Sequence, residues 1–73
     1  MFDPKIFGQR LFLLRKQRPG VTQADISSLL EVTPTQVSDM ESGKSATTMA
    51  RLYLLCDYFN VSADYLLGRT DTP

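Results

Sequence analysis

The chemistry open to this chain is limited first by what it lacks. It has no histidine and a single cysteine, Cys56, so the usual general base and the usual zinc constellations are both missing. Its acids fall at helix caps and surface positions, with no nucleophile beside an activating partner. Catalysis is not expected, and no cofactor, metal or small-molecule ligand is indicated. One stretch does concentrate polar side chains: "TPTQVSDMESGK", residues 33–44. It opens with a helix-start signal, places apolar residues at helical spacing and stops at a glycine. Pro34, Thr35, Gln36 and, one turn on, Asp39 would stand outward. Donors and acceptors held on a short rigid helix are suited to recognition, not to reaction.

The elements that must hold this helix are legible from caps and periodicity. Thr33 can cap it, Pro34 suits its first turn, and Gln36 can reach back to complete a capping box. Val37 and Met40 would be its buried stripe, and Gly43 its stop. Upstream, Asp3 and Pro4 start a first helix with Phe7, Leu11 and Leu14 inward, ended by Pro19-Gly20. Thr22, with Asp25 three residues on, opens a second helix running to about Leu30, with Ile26 and Leu30 inside. Downstream, Thr47 or Thr48 opens a fourth helix with Leu52, Leu55 and Phe59 inward. Ser62 caps a fifth, ending at Gly68, where Tyr65 and Leu66 pack back. No stretch alternates as a strand would. The expected fold is all-α: a bundle of five short helices over residues 1–68, with 69–73 a frayed tail.

Seventy-three residues make one domain with a thin core, since a chain this small buries only about 60% of its unfolded surface. Neither a signal peptide nor an apolar run of about 20 residues is present, so an intracellular protein is expected, with no membrane partner. The formal net charge is +0, but it is unevenly spread. Residues 1–20 carry Lys5, Arg10, Arg15, Lys16 and Arg18 against Asp3, a balance of +4, and the remainder carries −4.

Only Glu31 to Thr33 separate the second and third helices, so the two must cross steeply in a helix-turn-helix. Residues 6–68 resemble the Cro-like, XRE-type helix-turn-helix repressors of phages and bacteria. The resemblance rests on Arg15, Gln23, Ser38, Glu41 with Gly43, and "VSADYLLG" at the family's distances. It implies a DNA-binding transcriptional regulator of the bacterial or phage-infected cytoplasm, acting as a homodimer on double-stranded DNA with the third helix in the major groove. On that reading Thr35, Gln36, Asp39 and Pro34 face base edges. Gln can pair with adenine, Thr can donate, accept or touch a thymine methyl, and Asp can accept from cytosine. The alternative is that Gln36 serves only its capping box and Asp39 is a solvated acid.

The resemblance further implies phosphate contacts from Gln23 and Thr22 at the start of the second helix, and from Lys44 and Ser45 after the third. Arg10, Lys16, Gln17 and Arg18 are either a second DNA-facing patch or an ordinary charged face. Arg15 and Glu41 would form a partly buried ion pair tying the first helix to the third. Tyr53, Tyr58 and Leu67 are candidates for a dimer interface, against wider core packing. Cys56 reads as a small core residue.

Several features depart from the family. Glu31 occupies a left-handed turn position usually given to glycine, at a cost of about 1–2 kcal/mol. Pro34 removes a side-chain donor, and Pro19 adds a residue between the first two helices. The third helix has two acids and no base, so phosphate attraction must come from elsewhere and nonspecific binding should be weak. The rival reading is a helix-turn-helix-fold interaction module, an antitoxin or adaptor whose partner is a protein.

Overall fold

Each helix begins where a side chain takes over an orphan backbone donor. The computed structural model, which describes residues 1–73, contains α1 (Pro4–Gln17), α2 (Gln23–Leu30), α3 (Pro34–Glu41), α4 (Met49–Phe59) and α5 (Ala63–Leu67). Asp3 Oδ1 accepts from the Lys5 amide at 2.9 Å. Thr22 and Asp25 form a reciprocal capping box, as do Thr33 and Gln36. Thr48 caps α4 and Ser62 caps α5. The expected all-α, five-helix fold is the one observed, and Thr48, not Thr47, opens the fourth helix.

The turns follow the same local logic with one strained position. Glu31 lies at φ 56°, ψ 45°, in the left-handed region that its sequence position demands and its side chain disfavours. Asn60 makes the corresponding turn after α4 at φ 55°, where a short polar side chain is better tolerated. After α3, Gly43 at φ 82° reverses the chain while its missing side chain makes room for α1.

The ten-residue core takes its members from every helix: Phe7, Leu11, Leu14, Ile26, Leu30, Val37, Met40, Leu55, Phe59 and Leu66. Fully burying each such side chain contributes about 1.5–3 kcal/mol, so the apolar stripes hold the bundle. Leu52 and Tyr65, expected inside, are half-buried against this cluster. Cys56 also packs there, and burial pushes its thiol pKa up, as suits a small apolar filler rather than a nucleophile. α1 packs against both α3 and α5, while α2 packs on α3. No helix is long and apolar enough to cross a membrane.

Residues 69–73 differ from the frayed tail expected of them. The Arg10 guanidinium donates to the carbonyls of Tyr65 and Thr70 and meets Asp71 Oδ1 at 2.8 Å. It also stacks 4.4 Å from the centre of the Tyr65 ring. The Ser62 amide donates to the Pro73 carbonyl at 3.4 Å. A largely buried arginine with two carbonyl acceptors thus ties the residues beyond α5 to α1. The pairing to the fully exposed Asp71 adds little of its own.

Candidate nucleic-acid interface

The presentation of α3 begins at its cap. Gln36 Oε1 accepts from the Thr33 amide at 2.9 Å, and Thr33 Oγ1 accepts from the Gln36 amide at 3.1 Å. This box satisfies two orphan donors and aims the first turn. The Thr33 hydroxyl also donates to Gln36 Oε1, at 3.4 Å, so both lone pairs of that oxygen are taken while the side-chain NH2 is left free. Pairing with adenine needs both a donor and an acceptor. In the closed box Gln36 is therefore a donor only, matched to guanine O6/N7 or thymine O4.

Val37 and Met40 are buried, which turns the opposite ridge outward. That ridge is Thr35, Asp39 and Ser42, spaced i, i+4, i+7. Thr35 and Ser42 are exposed, and Asp39 is half-exposed. Pro34 and Gln36 are exposed on either flank of it. Ser42 was not singled out by sequence reasoning. Its hydroxyl donates to the Asp39 carbonyl at 3.1 Å, a C-terminal contact with no strong sequence signal.

Behind the ridge, α3 is fixed to α1 by the expected ion pair. Arg15 Nε lies 2.7 Å from Glu41 Oε2, and Arg15 Nη2 lies 3.0 Å from Glu41 Oε1. The two side chains are only 9% and 5% exposed. This is a bidentate, charge-assisted pair in a dry setting. The hydrogen bond that Arg15 donates to Glu41 raises the Arg15 pKa above its ordinary value, although burial alone would lower it. Gln23 Nε2 donates to Glu41 Oε1, the oxygen that also accepts from Arg15 Nη2, at 2.9 Å, so one carboxylate ties the start of α2 to the end of α3. That bond, also missed in the sequence, leaves Gln23 one amide hydrogen for a phosphate. Thr22 keeps its hydroxyl hydrogen, since its oxygen accepts from Asp25 at 3.2 Å.

The basic end of α1 does not assemble as one face. Arg10 commits its donors to α5 and the tail, which takes it away from the expected phosphate-contacting set. Arg18 Nη1 donates to the Tyr58 carbonyl at 2.7 Å, and its guanidinium stands 5.3 Å from the Tyr58 ring. Lys16 lies 5.6 Å from the Phe12 ring centre. Lys44 and Ser45 are exposed just beyond α3.

The three dimer candidates are likewise not one patch. Tyr53 borders a shallow hollow with Cys56, Asp57, Asn60 and Val61. Leu67 lines an apolar cleft with Phe2, Phe7, Met49 and Leu52, and Tyr58 carries Arg18.

Residues 11–66 match the helix-turn-helix family profile. Among solved structures, a transcriptional regulator from Listeria innocua is 32% identical with a TM-score of 0.79, covering 85% of this chain. The chain spans 57% of that regulator's length. The P22 c2 repressor, crystallised with a synthetic operator, is 26% identical with a TM-score of 0.75 over 84% of this chain and 91% of that one. The restriction-modification controller protein C.AhdI from Aeromonas hydrophila is 25% identical with a TM-score of 0.73 over 88% and 96% of the respective chains. No protein of curated function matches the chain in sequence.

Proposed function

Since the chain belongs to the XRE-type helix-turn-helix family, we propose that it is a non-enzymatic, sequence-specific DNA-binding transcriptional regulator of the cytoplasm. It acts as a repressor that seats α3 in the major groove of a palindromic operator as a homodimer. The observation that carries this reading is the α3 ridge itself. Thr35 and Asp39 project from a helix whose opposite face is locked by Val37, Met40 and the Arg15–Glu41 pair. Such a helix can offer hydrogen bonds to base edges without the cost of ordering them first.

Thr35 and Asp39 are the first-rank base readers on this account. Gln36 is an auxiliary donor beside them, and Pro34 offers apolar contact. Phosphates are met by Thr22 and Gln23 at the start of α2 and by Lys44 and Ser45 after α3. Two copies are needed because one eight-residue helix reads few base pairs, and a twofold dimer spans half-sites about 34 Å apart.

The test is a double substitution, Thr35→Ala with Asp39→Ala, in binding assays against a preferred duplex and its single-base variants. Each good side-chain-to-base pairing discriminates by about 1–3 kcal/mol. The double variant should bind all the duplexes nearly alike while melting within a few degrees of the parent. Retained discrimination would place base reading on other residues. Joint loss of folding and binding would mean that the ridge is structural.

One observation favours a second reading. With Glu41 buried in its pair, the outer face of α3 carries Asp39 and no base, a pattern that would also suit a protein partner.

A further inference from the structure

We propose that Lys5, far in sequence from any helix-turn-helix element, joins Lys44 in a two-lysine clamp on the DNA backbone at the far end of α3. The clamp rests on the proposed DNA-binding function and supplies the phosphate attraction that α3 lacks.

The placement comes from Gly43. A side chain built on Gly43 would stand 2.9 Å from Lys5 Cγ and 3.0 Å from Lys5 Cα. The first turn of α1 therefore lies directly against the turn after α3, next in sequence to Lys44. Gly43 permits this approach both by having no side chain and by its φ of 82°. Both lysines are exposed. The carboxylates that pair with cations in this chain pair with Arg10, Arg15 and Arg69, which leaves both ammonium groups unpaired.

Electrostatics give the clamp its purpose. The C-terminal end of a helix carries partial negative charge, and the last turn of α3 has no basic residue to answer it. With Asp39 beside it, that end would repel the phosphates bordering the groove. Lys5 and Lys44 are the free cations that flank it. Lys5 has no reason to be basic on behalf of its own helix. It sits in the first turn of α1, which has no acidic residue, and there the helix dipole disfavours a cation. Arg10 and Arg18, the sequence's more obvious candidates, are held elsewhere by Tyr65, Thr70 and Tyr58.

The experiment measures the salt dependence of binding to a mixed-sequence duplex by fluorescence anisotropy over about 50 to 200 mM KCl. Each phosphate neutralised contributes about 0.9 to the slope of log K against log salt. Lys5→Gln and Lys44→Gln should each make the slope shallower by about that amount, and together by roughly twice as much. Lys16→Gln, which changes a lysine resting on Phe12, should leave it unchanged. Thermal melting serves as the fold control, and Lys5→Gln should melt at or slightly above the parent. A parent with a clear salt slope that Lys5→Gln does not alter would overturn the clamp alone. A folded parent with no salt-dependent binding would overturn the DNA reading and the clamp with it.

Discussion

Arg15→Ala is expected to bring the protein close to unfolding at ordinary temperature. The substitution removes both donors that meet Glu41 at 2.7 and 3.0 Å. It leaves a carboxylate whose side chain is 5% exposed with only the Gln23 amide as a partner. Breaking one half of a buried pair costs about 3–5 kcal/mol, while a domain of this size has only about 4–11 kcal/mol in total at 0.05–0.15 kcal/mol per residue. Urea denaturation should show the midpoint falling by about a quarter or more at unchanged slope. A second variant separates charge burial from lost packing. Arg15→Met with Glu41→Leu removes both charges and should recover most of the loss, because apolar replacement of a buried pair is often neutral. A loss of less than about 1 kcal/mol in the single variant would be the size of a surface pair and would discard the buried-pair account.

The second large effect is Gly8→Ala, where two physical arguments predict opposite signs. Helix propensity favours alanine in the middle of α1 by about 1 kcal/mol. Packing opposes it, because a Cβ on Gly8 would stand 2.7 Å from the Glu41 carbonyl oxygen and closer still to that of Met40. Both obstacles are backbone, so no rotamer change relieves them, and α1 must move off α3. Overpacking costs about 1–3 kcal/mol, and here the displacement also stretches the Arg15–Glu41 bonds. A net destabilisation of about 2 kcal/mol is expected, or a fall in Tm of roughly 8–16 °C. The loss should combine less than additively with that of Arg15→Ala, because the two act on the same crossing. A more stable Gly8→Ala protein would show that the helices are not held this close.

What the sequence made legible was mostly local. Asp3, Thr22, Thr33 and Ser62 announce helix starts because a cap acts within three residues of itself. The Phe7–Leu11–Leu14 and Val37–Met40 stripes announce buried faces because helical periodicity is local too. The Arg15–Glu41 pair came from the resemblance, since 26 residues separate the partners and nothing in their spacing joins them. Contacts set by how helices cross were not legible. Gly8 gave only the weak signal of a glycine in mid-helix, and Lys5 gave none. Arg10 read as part of a basic face because its acceptors, the carbonyls of Tyr65 and Thr70, have no side-chain signature. The tail looked frayed for the same reason. Gln36 shows a different difficulty: one amide suits both a cap and a base, and only the geometry shows which of its atoms is taken.

The most direct test of the central claim is selection from a random duplex library with the purified chain at two salt concentrations. The account predicts enrichment of a palindrome with half-sites about one helical turn apart, weakening as salt rises. A chain that is folded by circular dichroism yet enriches no sequence even at low salt would contradict it.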